Sequence, residues 1–560
     1  MEGKNVLLAV VFSTIVLVVW AVFFEAPMPT QQKSEQQITS ESEELSSPTI
    51  DNVEIVENIS RDEIKKQTKR IKIENKNILG SISLTGGIID DLVFKNYKEN
   101  LNDNKNVIFL NPRNSKKGYY IESGWAAVPS DNLKMPDEKT VWNVKGNTVM
   151  SVNSPVELEW NNGEGLVFTK KIELDKNYLF RITQKIKNNT NKAFKFYPYA
   201  QISRNYKPEV IPIYILHEGF IGVFDEELKE EDYDDIEKEK FTTNSEKGWL
   251  GITDKYWIAA IIPEKGKRFK SEFLSKDGKY KANFIISEPT IINPNSSEES
   301  EIKAIAAAKE VAIIDEYAEK LNIEKFDLAI DWGWFYFFTK PLFFVIDYFF
   351  RLTGNFGMAI VIITALVRLI FFPLANYSFR SMAKMKVLQP EMIRLKELHK
   401  DDKVKLQQEM MALYKREKVN PISGCLPVLI QIPFFFAFYK MLFVTIEMRH
   451  QPFFGWIQDL SARDPTSIFN LFGLIPWDPP TFLMIGAWPI LMGLSMYLQQ
   501  KLNPTPPDPI QAKIFMFFPL FLTIILAPFP SGLVVYWTIN NILTIAQQWV
   551  IIRKTKVKTI

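Results

Sequence analysis

The segregation of apolar residues constrains this chain more than any other feature. Beyond Trp332 lie five stretches of 16–20 residues that are almost free of charge: Phe356–Ala375, Leu426–Thr445, Phe482–Leu498, Ile514–Phe529 and Leu533–Ile552. A sixth, Val6–Phe24, has 19 residues and no charge. At about 1.5 Å of rise per residue, such runs approach the ~30 Å hydrocarbon core of a bilayer. They predict a polytopic α-helical membrane protein with six spans. The first is read as an uncleaved anchor (1–25), because its apolar run is too long for a signal peptide and Glu25-Ala26-Pro27-Met28-Pro29 offers no clean cleavage site. The last two, separated only by Pro528-Phe529-Pro530-Ser531-Gly532, predict a tight helical hairpin.

Between the first and second spans the pattern changes. Residues 26–60 are rich in Gln, Ser and Glu and read as a flexible tether. From 61 to 330 short runs recur: Ile71-Lys72-Ile73 and Phe180–Ile186 alternate with period two, and Leu166–Leu174, Trp257–Ile262 and Tyr280–Ile286 are further strand candidates. Turns such as Asp175-Lys176-Asn177 and Asp277-Gly278 separate them. Many short strands with such punctuation predict a large β-sandwich. Lys303–Lys320 is rich in helix formers and predicts a closing helix. Phe335–Arg351, aromatic and interrupted by Pro341, predicts an interfacial helix within 331–355.

Orientation follows from the basic residues of short loops. The segment 377–423 carries Arg380, Lys384, Lys386, Arg394, Lys396, Lys415, Arg416 and Lys418, and the tail 553–560 carries Arg553, Lys554, Lys556 and Lys558. Both are predicted to be cytoplasmic. The second span is then 356–376, the other four fall within 424–552, both termini lie inside, and the sandwich lies outside, which in a bacterium is the periplasm. Within 377–423, Met385, Leu388, Met392 and Leu395 recur at helical spacing, as do Leu406, Met410 and Leu413 beyond His399-Lys400-Asp401-Asp402. This predicts a basic helical hairpin, either a solvated spacer or a docking arm for a ribosome, a targeting factor or anionic headgroups.

Several chemistries are excluded or disfavoured. The single Cys425 permits no intrachain disulfide and no Cys/His zinc cluster. Three scattered histidines disfavour histidine-based metal catalysis, and no GxxxxGK[ST], HExxH or GxSxG motif is present. No enzyme activity, cofactor or metal is expected. A net charge of +2 gives no support to DNA binding.

The candidate functional residues are polar groups inside spans. Arg368 in the second span is costly in hydrocarbon, at least ~2.5–3.5 kcal/mol on insertion scales. It either snorkels to the nearby cytoplasmic end or faces a hydrated cavity. Gln431 lies in the third span. In the last, Trp537, Asn541, Thr544 and Gln548 share one helix face, flanked by Asn540 and Gln547. A stripe of amides is explicable as interhelical hydrogen bonding, but together with an arginine it better fits a water-filled indentation. Lys440 is read as snorkelling outward, with Glu447 as its partner. A secondary transporter or channel is the competing reading, although no internal repeat supports it. A sugar-binding or sugar-isomerising role for the sandwich has only His217 to recommend it.

Asn420-Pro421-Ile422-Ser423-Gly424-Cys425-Leu426-Pro427-Val428-Leu429-Ile430-Gln431-Ile432-Pro433 closely resembles the YidC/Oxa family of membrane protein insertases, as does Phe529–Trp537. Gly80–Leu92 is similar to the bacterial type with a large external domain. The resemblance implies a five-helix insertase core with a hydrophilic groove, open to cytoplasm and lipid, and a periplasmic β-super-sandwich that contacts the Sec translocon. By motif, Arg368 matches the groove arginine, and Thr364, Gln431, Tyr536 and Trp537 match other groove or substrate-contacting positions. Asn540, Asn541 and Thr544 join them as candidate lining residues. Implied partners are nascent membrane proteins, the Sec translocon, a ribosome or targeting factor, and the bilayer of the inner membrane. Two departures stand out: Lys440 is charged where an uncharged residue is expected, and the loop Ile468–Pro480 is longer than usual.

Overall fold

The computed structural model describes residues 60–101, 103–209, 216–333, 335–400, 402–420, 426–477, 479–480, 483–503 and 509–554. The predicted anchor, nearly all of the tether, residues 421–425 and the tail beyond 554 lie outside the described residues.

The runs form strands because they have apolar faces to bury: one face in Leu166–Leu174 and Leu179–Asn188, both faces in Trp257–Ile262 and Lys279–Ile286. Leu166–Leu174, Leu179–Asn188 and Trp257–Ile262 belong to a sheet of nine described strands, and Arg70–Glu74 and Lys279–Ile286 to one of eleven. The sheets pack face to face. Side chains cross between them: Lys170 Nζ donates to the Ser123 carbonyl at 2.5 Å, and Gln184 Nε2 to the Gly124 carbonyl at 3.3 Å. Burial pushes the Lys170 ammonium down to about 8. Beside it, Glu122 is ion-paired with Arg113. The Gly80–Leu92 stretch is a hairpin whose turn glycines, Gly86 and Gly87, both have positive φ. A Cβ on Gly87 would lie 2.9 Å from the Trp142 indole nitrogen, so only glycine satisfies both backbone and packing. Asp90 and Asp91 of the same hairpin bind Arg70 and Arg61, tying the helix Arg61–Gln67 (α1) to the sheet. A second short helix, Tyr233–Lys238 (α2), lies further along the sandwich.

The predicted closing helix begins as strand. Lys303–Ala308 completes Ser297–Ala308, and the helix is only Val311–Lys320 (α3). Ala304 to Ala308 sit between Leu179–Asn188 and Trp257–Ile262 with 0% exposure. Burial between two strands overrides the helical propensity of alanine.

The remaining helices are Tyr336–Thr353 (α4), Phe356–Ile370 (α5), Phe372–Leu398 (α6), Lys403–Arg416 (α7), Leu426–Val444 (α8), Ala487–Leu502 (α9), Pro509–Leu526 (α10) and Ser531–Lys554 (α11). Pro341 does not break α4, which runs through it. By contrast, the expected helix 356–376 is interrupted. α5 ends at Ile370 and α6 departs at 68°. Pro373, the second residue of α6, has no N–H for the Leu369 carbonyl, so the helix cannot continue straight. Phe371 closes the break by donating to the Val367 carbonyl at 3.1 Å.

Among the described residues no single helix is long and apolar enough to cross a membrane, and α5 with α6 form one bent pair that qualifies. The reasons are local. α9 has 16 residues, ~24 Å of rise. α11 has 24, but its amides lower its mean hydropathy.

Polar contacts join the sandwich to the helices. Lys440 does not pair with Glu447: its Nζ lies 2.7 Å from Asp331, and its methylenes pass over Gly333. Glu447 instead accepts from the Val311 N–H at 2.8 Å and so caps α3. Lys340 bridges Asp315 and Asp327 at 2.9 and 3.0 Å.

Candidate functional site

Arg368 occupies the last turn of α5, where the free carbonyls of the helix end favour a cation. The bend at Phe371 keeps the guanidinium among helices rather than directing it along a straight span. Its Nε and Nη2 donate to Asn540 Oδ1 of α11 at 2.9 and 2.7 Å, and Nη2 donates to Gln431 Oε1 of α8 at 3.0 Å. Two uncharged amides on two helices thus hold the arginine, and no ion pair of Arg368 occurs among the described residues.

These groups line a cavity of about 40 Å³ together with Thr364, Phe434 and Tyr536, enough for about one or two waters. Thr364 is buried and returns its hydroxyl to the Ile360 carbonyl at 2.6 Å. Tyr536 stacks on Phe438 with ring centroids 4.4 Å apart. Gln431 and Asn540 also line a second, wider cavity of about 540 Å³, shared with Phe435, Trp537, Gln499 and Asn541. Trp537 and Phe435 have centroids 4.6 Å apart. Neither lining holds an Asp or Glu among the described residues.

The stripe on α11 divides between two neighbours. Asn540, which flanks it, meets Arg368. Asn541 Nδ2 donates to Ser495 Oγ of α9 at 3.0 Å, and Gln548 Nε2 donates to Asn503 Oδ1 at 3.0 Å. Thr544 bonds its own helix through the Asn540 carbonyl at 2.6 Å. Ser495, Gln499 and Asn503 are the residues that sequence reasoning missed. Their spacing of four was a usable signal, matching a polar row along α9 and its C-terminal cap, Asn503, to the row on α11.

The basic hairpin forms between α6 and α7. Leu388, Met392, Leu413 and Val419 make its small buried core, and Leu406, expected in that seam, lies outside it. Lys384 and Lys415 face a common cleft. Lys386 Nζ donates to the Lys501 carbonyl near the end of α9 at 3.3 Å, and Arg416 pairs with Glu391 at 2.9 Å. Arg394 is exposed, and Lys396 is partly covered.

Residues 348–558 match the family described as 60Kd inner membrane protein, and residues 70–345 match the YidC periplasmic domain. A membrane protein insertase YidC of Pelagibacter ubique is 56% identical over 559 residues, covering all of both chains. One from Rickettsia conorii is 46% identical, covering 98% of each. A crystal structure of an active YidC insertase with its first transmembrane domain resolved aligns over 88% of this chain and 94% of its own, at 17% identity and a TM-score of 0.35. The matches define an inner-membrane protein with a periplasmic β-sandwich. The chain belongs to the YidC family of membrane protein insertases.

Proposed function

We propose that this insertase admits the polar flank of a nascent membrane protein beside Arg368 and lets the following apolar segment pass along α8, α10 and α11 into lipid. The observation that carries this reading is the arginine held, among the described residues, by two amides. Its charge is positioned but not cancelled, so an acidic client residue can complete the pair. The thermodynamic drive comes from the client, at about 0.8 kcal/mol per buried CH₂. The barrier is its polar flank, since each unsatisfied polar group in hydrocarbon costs several kcal/mol. Gln431, Asn540, Asn541 and Gln499 shorten that path by offering partners part-way, and Trp537 and Phe435 supply an apolar wall. Thr364 and Tyr536 complete the lining as positioning groups, whereas Thr544, a candidate lining residue by sequence, is buried against its own helix and lines neither cavity.

The finer topology belongs to the same proposal: six spans, both termini cytoplasmic, the helical hairpin at the cytoplasmic face. Lys386, Arg394, Lys396 and Arg416 there meet a ribosome or targeting factor, with Lys384 and Lys415 in the cleft beside them, and the sandwich faces the Sec translocon.

Photocrosslinkers at positions flanking Arg368, Gln431 and Trp537 are expected to capture a stalled nascent membrane protein. Absence of such adducts, with uptake of a small solute by reconstituted protein, would support a transporter instead. Arg368→Glu is expected to impair clients with acidic flanks more than neutral ones, and an equal effect on both would make the arginine structural.

A further inference from the structure

The base of the hairpin contains a second charged site, about ten residues beyond Arg368 along the chain. A cleft of about 710 Å³ opens between α6 and α7, with Arg380 and Lys384 on one wall and Lys415 and Lys418 on the other. Ser381 Oγ donates to the Asn420 carbonyl at 3.3 Å and ties the two walls at the bottom. The closing turn is geometrically specified. Lys418 has φ of 50°, and the Val419 N–H reaches back to the Tyr414 carbonyl at 3.0 Å, the reversed bond that ends a helix in the left-handed conformation.

Outside the cleft, Arg416 is paired with both Glu391 and Glu417. None of the four cleft cations has an ion pair among the described residues. Four like charges converging on one cavity repel, and an anion between them relieves that repulsion. The position of the cleft identifies the source of that anion. Leu369, Ile370, Phe372 and Tyr377, immediately before Arg380, are all exposed apolar or aromatic side chains, as expected where a helix leaves hydrocarbon for the headgroup layer. A cleft one turn past such a belt sits at phosphate depth.

We infer that the cleft between α6 and α7 binds the phosphate headgroup of an anionic phospholipid, with Arg380 and Lys384 closing on it from one side and Lys415 and Lys418 from the other. Occupancy holds the hairpin against the membrane surface and limits its swing. This rests on the hairpin lying at the cytoplasmic membrane face, and it is independent of the cavity at Arg368.

Hydrogen exchange of the full chain in lipid nanodiscs tests it. Phosphatidylglycerol in place of phosphatidylcholine is expected to slow exchange at 377–384 and 413–420 by about fivefold or more, with α5 unchanged. Lys415→Gln with Lys418→Gln is expected to abolish that difference. Lys400→Gln with Lys403→Gln, at the hairpin tip, removes the same charge outside the cleft and is expected to preserve it. Equal exchange in both lipids, or equal loss in both double variants, would overturn the site. Inorganic phosphate reproducing the full effect in phosphatidylcholine would overturn the lipid assignment.

Discussion

The sandwich and the helical half bury opposite chemistry. In the sandwich, Phe168, Phe180, Phe220 and Trp249 are sealed inside, and its buried Asn188 is held by bonds on every side. In the helical half, Phe517 and Leu520 of α10 are 59% and 60% exposed, whereas Asn541 and Gln548 of α11 are 4% and 1% exposed. A chain that folds by one set of rules does so against two solvents. Water drives apolar groups inward in the sandwich. Hydrocarbon removes that drive in the helical half, so polar groups become what the helices hide from their surroundings. That inversion supports a lipid setting for helices whose lengths and hydropathies, taken singly, fall short of a span.

The largest expected effect tests the water-facing side of this contrast. Glu122→Leu leaves the buried Arg113 without its carboxylate and is expected to destabilise the sandwich by about 3–5 kcal/mol, read as a fall in its thermal unfolding midpoint. A loss under 1 kcal/mol would mean the pair is screened as at a surface. Next comes the lipid-facing side. Leu520→Arg is expected to cost at least ~2.5–3.5 kcal/mol in membrane integration. Val141→Arg, at a similarly exposed apolar residue of the sandwich, is expected to stay within about 0.5 kcal/mol. If Leu520→Arg were equally benign, α10 would not face hydrocarbon.

Those two halves were unequally legible. Leu166–Leu174 could be placed to the residue because period-two alternation reports directly on a face that water forces inward, and Trp257–Ile262 because a short, wholly apolar run suits a strand buried on both faces. Lys303–Ala308 misled, because four alanines carry no periodicity and only the neighbouring strands decide their state. The bend at Phe371 was encoded by Pro373, but an apolar run masks a break whose two sides are equally greasy. Around Arg368, residue types pointed to a polar site, yet which amide meets the guanidinium depends on helix rotation. Asn540 and Asn541 are adjacent in sequence and face different helices. The ties of Lys440 to Asp331 and of Glu447 to α3 join residues more than a hundred positions apart and had no local signal.

The seam between the halves offers a pH test. The Glu447 carboxyl is enclosed, one oxygen capping α3 and the other without a partner among the described residues. Burial, with smaller contributions from Glu310 and Asp347, pushes it up to about 7. A carboxyl raised on folding stabilises fully below its unfolded value, near 4.5, and that contribution is lost as pH rises to about 7. Wild-type protein should therefore lose up to about 3 kcal/mol of stability between pH 4.5 and 7.5 relative to Glu447→Gln, which keeps an acceptor for Val311 but does not titrate. Parallel pH profiles for the two proteins would show that the carboxyl is solvated.

The smallest expected effect is the most discriminating about mechanism. Asn541→Leu removes one interhelical hydrogen bond, and in a bilayer such bonds average about 0.6 kcal/mol because the separated helices find other partners. Ser495 already donates to the Met492 carbonyl at 2.7 Å, so its hydroxyl is not orphaned by the change. The same substitution at Asn188 would strand several buried groups at about 1–3 kcal/mol each. Unfolding measured for both variants is expected to separate them several-fold, and equal losses would make the α9–α11 seam an ordinary dry core. A small stability change at Asn541 accompanied by slower client insertion would place this amide in the wider cavity's work, because a residue that acts only as interhelical glue cannot lower insertion by more than the stability it contributes.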